Sequence, residues 1–213
     1  MSNPDLTLLF IHADKLPDKW VAFHKEQLDK LPYPIIDLYD KKKMGYQRIY
    51  EQLLIGCKQA TTPFIAVIED DVLYPLEHFE FRPEMDTFAY NQHRWALFTW
   101  GIPTYNWRNR VSNCSLIAPR ELAIEALEER FAKNPDGIPT KWCGELGRPN
   151  IEKWLRVTPR KKIEWYSKIG IIQFNHDGAT EERAKKHWKD LGPVKAFSIP
   201  VWGEASELVK KFS

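Results

Sequence analysis

Pro63-Phe64-Ile65-Ala66-Val67-Ile68-Glu69-Asp70-Asp71-Val72 sets five apolar residues between a proline and three consecutive acids. A run this short, apolar and β-branched predicts a strand buried on both faces of a largely parallel sheet. The acids then fall at the carboxyl end of that strand, where an open α/β sheet forms its ligand crevice. Carboxylates crowded together repel one another unless a cation or a ligand donor neutralises them. A divalent metal answers that need, with Mg²⁺ or Mn²⁺ held by one or two carboxylates and by substrate phosphates. On an extended segment side chains alternate, so Glu69 and Asp71 are expected to point together and Asp70 elsewhere.

Upstream, Tyr46, Ile49, Tyr50, Leu53, Leu54 and Cys57 recur at the spacing of a core-facing helical stripe, closed by Thr61-Thr62-Pro63. Ile35 to Tyr39 reads as a second strand and Leu6 to His12 as a first. Between them Pro17 opens a helix whose expected inner face is Val21, His24, Leu28 and Leu31. The order β-α-β-α-β predicts an α/β fold, a single doubly wound domain with a mostly parallel sheet flanked by helices. Downstream the pattern weakens. Strands are expected over Arg94 to Trp100, Asn113 to Ala118 and Ile169 to Phe174, with a helix from Pro119 to about Lys133. Asn134-Pro135-Asp136-Gly137 is a turn, and Asn150 is placed to cap a short helix running to Arg156. Thr180 is placed to cap another, and the last twenty residues, with Pro193, Pro200 and Gly203, read as an irregular tail or lid.

The 213 residues are enough for one full core, and a net charge of +2 argues against the global field of an obligate nucleic-acid binder. The positive charge is uneven, gathered in Lys41-Lys42-Lys43, Arg156 to Lys162 and Arg183 to Lys189. Three isolated cysteines suggest neither a disulfide framework nor a zinc site. No apolar run has the length of a membrane span, and Met1 to Asp5 lacks the pattern of a signal peptide. These features together predict a cytoplasmic protein.

Gly45-Tyr46-Gln47-Arg48, the amphipathic helix that follows, and Thr62-Pro63-Phe64-Ile65-Ala66-Val67-Ile68-Glu69-Asp70-Asp71 resemble the donor half of GT-A glycosyltransferases, whose DxD-type motif has Glu-Asp-Asp as a variant. The resemblance spans Leu6 to Val72 well and the remainder loosely. It implies a nucleotide-sugar donor of the UDP-sugar kind, with residues 1–100 on the donor side and 101–213 forming the acceptor side and lid. Asp71 would touch the metal, with Glu69 and Asp70 contributing to metal, ribose or sugar contacts. His12 and Ala13 would lie near the base and ribose, and Asp40 stands where the family often binds the base. Gly45 and Arg48 would approach the diphosphate, although Arg48 reads equally as a surface residue of its helix. His176, in Phe174-Asn175-His176-Asp177-Gly178, stands where such enzymes complete the metal site. An inverting transfer also needs a base for the acceptor proton. Asn150-Ile151-Glu152-Lys153-Trp154-Leu155-Arg156 resembles the family's Glu-Asp pattern, with Lys153 in place of the Asp. Glu152 is therefore one base candidate, and Glu145, behind Gly144, is the other.

The acceptor is not written in these motifs. Small glycosyltransferases that decorate hydroxymethylated bases in viral DNA are an analogy of size, and basic clusters interleaved with Trp154, Trp165, Tyr166 and Trp188 would suit a nucleic-acid groove. A surface glycan or lipopolysaccharide is the alternative acceptor. Another metal-dependent phosphate enzyme or a noncatalytic binding module are the alternative classes. A nucleotidyltransferase would usually carry a glycine-rich loop early in the chain, which His12-Ala13-Asp14-Lys15-Leu16-Pro17 is not.

Overall fold

The computed structural model describes residues 4–13, 16–39, 46–108, 110–176 and 194–212. Asp40, Gly45, the lysine run before it, the expected helix after Thr180, the Arg183 to Lys189 cluster and Trp188 lie outside the described residues.

The N-terminal elements follow the expectation: β1 (Leu6–His12), α1 (Asp18–Leu28), β2 (Ile35–Tyr39), α2 (Tyr46–Gln59) and β3 (Phe64–Glu69). β1 lies between β2 and β3 and pairs with both in parallel. Alternation along β1 divides the core. Leu9 and Ile11, with Ile65 and Val67, pack under Leu53 and Cys57 of α2. Leu8, with Ala66 and Ile68, packs against Leu28 of α1, Phe79 and Ile117 on the opposite face. β5 (Thr87–Asn91), β8 (Leu116–Pro119) and β9 (Lys161–Trp165) complete a six-stranded sheet of order β2-β1-β3-β8-β5-β9. It is mostly parallel, with β8 the antiparallel strand between β3 and β5. Helices flank it, among them α3 (Arg120–Ala132), whose Ala123 and Leu127 join the core under α2.

A second, five-stranded sheet was not foreseen. Its order is β11-β7-β6-β10-β4, from β4 (Val72–Leu73), β6 (Arg94–Phe98), β7 (Tyr105–Trp107), β10 (Ile171–Asn175) and β11 (Lys195–Ala196). Both sheets draw strands from either side of residue 100. The chain passes from one sheet to the other at Asp70-Asp71, between β3 and β4.

Other expectations are corrected in detail. The inner face of α1 is Trp20, His24 and Leu28, spaced by four residues, while Val21 is half exposed. The strand expected at Asn113 begins with a 3₁₀ turn over Asn113–Ser115, and β8 starts only at Leu116. Asn150 is not a cap: α4 (Pro149–Leu155) has Pro149 in its first turn and Arg148 before it, because proline fits N1 and fixes the start two residues earlier. The C-terminal segment is no irregular tail. After the short pair β12 (Ser198–Ile199) and β13 (Gly203–Glu204), α5 (Ala205–Phe212) buries Ala205, Leu208 and Phe212 against Trp20 and Phe174. Among the described residues no helix is long and apolar enough to cross a membrane.

Candidate active site

The acidic segment is a two-residue turn, not an extended run. Its backbone is fully engaged. The Trp20 indole N–H donates to the Asp70 carbonyl at 2.7 Å, the Phe174 amide to the Asp71 carbonyl at 2.8 Å and His24 Nε2 to the Val72 carbonyl at 2.9 Å. Donation to a carbonyl requires the proton on Nε2, and burial pushes the His24 pKa down to about 4, so the ring is neutral. The Tyr74 hydroxyl accepts from the Glu69 amide at 3.2 Å and donates to the Cys114 carbonyl at 3.0 Å. These bonds from α1, β10 and the β4 region fix the turn in place.

Asp71 is buried, and among the described residues its Oδ1 has no hydrogen-bond partner. Oδ2 lies 3.9 Å from Nε2 of His176, which follows β10 and is brought there by the pairing of β10 with β4. The expected partnership of these two residues is therefore present in space. Burial first, then the charges of Glu69 and Asp70, hold the Asp71 pKa well above the ordinary carboxylate range. Burial first, then Asp70, raises Glu69 to about 7, with Arg94 pulling it down and Glu145 adding to the rise. Glu69 raises Asp71, and Asp70 raises both, so the expected separation of Asp70 from the other two acids does not hold: Asp70 and Asp71 form a turn instead of continuing an extended strand. Among the described residues no group of three or more metal-capable side chains gathers at one point.

Beside the acids, β1 and β2 end in register, with His12 opposite Tyr39, while Ile11 lies opposite Glu69. His12 thus shares the carboxyl edge with the acids. Its Nε2 is 2.8 Å from Asp37 Oδ1, and its ring stacks on Phe10 at 4.3 Å and meets Tyr39 at 5.1 Å. Ala13 follows, partly exposed. Arg48, in the first turn of α2, has its guanidinium 2.9 Å from Glu51, a pair on the helix surface.

The two base candidates have different surroundings. Glu152, on α4, is buried, and both its oxygens accept backbone N–H groups, from Gly147 at 3.0 Å and Arg160 at 3.2 Å. Glu145 lies on the loop this arrangement ties down. Arg130 donates to the Gly144 carbonyl at 2.8 Å, and Tyr90 donates to the Leu146 carbonyl at 2.9 Å, so the backbone is held on both sides of Glu145. The Glu145 side chain is partly exposed and meets Arg148 at 2.7 Å through Oε2. It lies close enough to Glu69 to raise that residue's pKa. Gly144 is closely approached by Ile151, whose Cδ1 would stand 2.9 Å from a Cβ placed there.

Solved structures similar to this chain include a glycosyltransferase. That protein, described as involved in the glycosylation of the major capsid of PBCV-1, has 12% identity and a TM-score of 0.48, over 86% of this chain and 97% of its own. HddC from Yersinia pseudotuberculosis matches at 9% identity and a TM-score of 0.40, over 85% of this chain and 97% of its own. The inositol-1-phosphate CTP transferase from T. maritima matches at 7% identity and a TM-score of 0.39, over 85% of this chain and 75% of its own. No protein-family model and no curated protein matches the sequence.

Sequence reasoning missed Arg94. Its guanidinium is buried, donates to the Gln173 side chain and, at 2.9 Å, to the Arg110 carbonyl, and lowers the pKa of both Glu69 and Asp71. The only signal was a single arginine opening an otherwise apolar strand. The basic run at residues 160–162 also looks different in space. Arg160 pairs with Glu125 and Glu129, Lys161 with Glu84 and Asp86, and Lys162 with Glu164. Trp154 and Trp165 have separate partners: Trp154 stacks on Trp142, and Trp165 stacks on Phe81.

Proposed function

We propose that the chain transfers a glycosyl group, a hexose or a pentose, from a nucleotide sugar to an acceptor hydroxyl, with a divalent cation at Asp71. The observation that carries this reading is the buried Asp71 carboxylate, with one oxygen unpartnered among the described residues and the other beside His176, at the carboxyl edge of the parallel strands. Raised carboxyl pKa values at this edge fit a site arranged for positive charge. Carboxylate oxygens and one imidazole nitrogen suit Mn²⁺ or Mg²⁺, and a site with two such ligands leaves room for phosphate oxygens. Asp71 and His176 would hold the cation, with Glu69 beside them. When bound, the cation supplies positive charge to the departing nucleoside diphosphate.

The chain's own residues divide the remaining work. His12, Ala13 and Asp40 would receive the nucleoside, and Gly45 with Arg48 would receive the diphosphate. Asp70 would face the ribose or the sugar. Glu145 is the base we favour. One oxygen is held by Arg148, the backbone around it is tied down, and it faces the same acids. In the transfer, the acceptor oxygen forms a bond to the anomeric carbon while the bond from that carbon to the diphosphate breaks. The acceptor proton passes to Glu145, and the leaving group departs as the nucleoside diphosphate. Glu152, with both oxygens already bonded to backbone amides, suits the support of the Glu145 loop better than proton transfer.

A glycan is the acceptor we favour over hydroxymethylated DNA, because the cations at residues 160–162 are already matched by carboxylates. The test is incubation with a panel of nucleotide sugars and Mn²⁺. Release of a nucleoside diphosphate, weakened in His176→Ala and partly restored by excess Mn²⁺, is the expected result. Release of pyrophosphate from a nucleoside triphosphate plus sugar phosphate would favour a nucleotidyltransferase. Metal-independent donor binding in calorimetry would overturn the cation at Asp71.

A further inference from the structure

A groove of about 1030 Å³ lies along α4. Its lining includes Trp142, Trp154, Lys133, Lys153 and Arg156, and no carboxylate. The two indoles stack face to face, with centroids 4.8 Å apart and 13° between planes, and Trp154 is 42% exposed. The inner ring is fixed by the apolar cluster of Ile138, Ile151, Leu155 and Val157. The stack therefore presents a rigid, flat outer face, and the amide of Asn150 lies in the same lining. Lys133 is engaged with Glu129, but Lys153 and Arg156 enter no ion pair among the described residues. The groove is thus an aromatic plate flanked by uncompensated positive charge.

Trp142 is three residues from Glu145, at most about 11 Å even along a fully extended chain. The groove and the proposed base therefore belong to one side of the site. The positive field stops at the groove, because the next cations along the chain, Arg160, Lys161 and Lys162, are paired with carboxylates. A nucleic-acid strand needs a continuous cationic track for its phosphates. A short acidic saccharide needs only a plate for one sugar face and one or two cations for its carboxylates.

We propose that this groove is a subsite for an anionic oligosaccharide, with Trp154 stacking on a sugar ring and Lys153 and Arg156 taking its acidic groups. The proposal deepens the glycosyltransferase reading and rests on it for the name "acceptor", but the groove's binding is measurable without any transfer. Titrate the full chain at low salt, by calorimetry and tryptophan fluorescence, with tetragalacturonic acid, with maltotetraose as the neutral control, and with an eight-residue thymidine oligonucleotide. The expected result is binding of the acidic tetrasaccharide in preference to both others, weakening as salt rises. Trp154→Ala should weaken it about tenfold. The Lys153→Glu, Arg156→Glu pair should weaken it by at least as much. Both variants should leave acceptor-free hydrolysis of the nucleotide sugar unchanged, because the donor side does not include these residues. Preference for the oligonucleotide, equal binding of maltotetraose, absence of saccharide binding, or indifference to Trp154→Ala would each overturn the proposal. Loss of donor hydrolysis in the parent chain with groove binding intact would instead overturn the transferase reading alone.

Discussion

Asp71 and Glu152 are buried to nearly the same degree, 6% and 3% exposed, yet their oxygens are used in opposite ways. Both Glu152 oxygens accept backbone N–H groups, so its charge is satisfied inside the fold. Asp71 has its backbone carbonyl bonded, but among the described residues one carboxyl oxygen has no hydrogen-bond partner and the other stands 3.9 Å from His176. A buried charge with its hydrogen bonds made is structural, whereas a buried charge without them costs stability unless a ligand supplies what is missing. Burial therefore does not mark a functional acid. The list of partners does.

The sharpest way to break this comparison is to remove each carboxylate and measure stability and activity separately. Asp71→Asn should reduce transfer to the background rate, while urea unfolding shows stability unchanged or slightly higher, since repulsion from Glu69 and Asp70 is relieved. A variant that loses stability by several kcal/mol would mean that Asp71 is structural after all.

Glu145 and Glu152 test the same contrast on the acceptor side. Glu145→Gln should lower turnover by about 10²–10⁴-fold with donor affinity nearly unchanged. Glu152→Ala should instead lower stability by about 3 kcal/mol, because two buried backbone N–H groups lose charged acceptors. Turnover per folded Glu152→Ala molecule should change far less than in Glu145→Gln. A reversed pattern, with Glu152→Ala stable and inactive, would return the base to α4.

The same contrast explains what could be read from the sequence. β1, β2, β3 and α2 were legible because each is long enough to show its own period, and the acids were legible because they follow an unbroken apolar strand. The second sheet was not, because β4 and β11 have two residues each and β7 has three, too few for any alternation to register. β9 was hidden by its own lysines, which read as a solvated charge run although Ile163 and Trp165 alternate with Lys162 and Glu164. The nearness of Asp71 and His176 was implied by the family resemblance and not by any spacing within the sequence. Arg94 could not be expected, because nothing local separates a buried guanidinium from one at a strand end. Nor could the sequence choose between Glu145 and Glu152, since the choice depends on which of them meets the amides of Gly147 and Arg160.

The smallest expected effect concerns a buried group well away from the acids. His78 is fully enclosed, accepts from the Asn91 side-chain amide at 3.1 Å through Nδ1, and has no hydrogen-bond partner for Nε2 among the described residues. Burial alone pushes its pKa from 6.5 down to about 3, with no charged neighbour contributing. The unfolded chain therefore takes up a proton below pH 6.5 while the folded chain does not. Stability tied to His78 is complete above that pH and is lost as the pH falls towards 3, by about 1.4 kcal/mol per pH unit. The raised pKa of Glu69, about 7, acts in the opposite sense, because the folded chain there holds a proton that the unfolded chain releases. The total pH profile mixes the two, so the measurement must be a difference. His78→Gln removes the histidine contribution and leaves Glu69 in place. Relative to the parent, the variant should gain about 1.4 kcal/mol for each pH unit below 6.5, whatever its stability at neutral pH. Urea unfolding of both proteins at pH 6.5, 5.5 and 4.5 reads this directly. A constant difference across that range would mean that His78 is already protonated, or hydrated, in the folded chain.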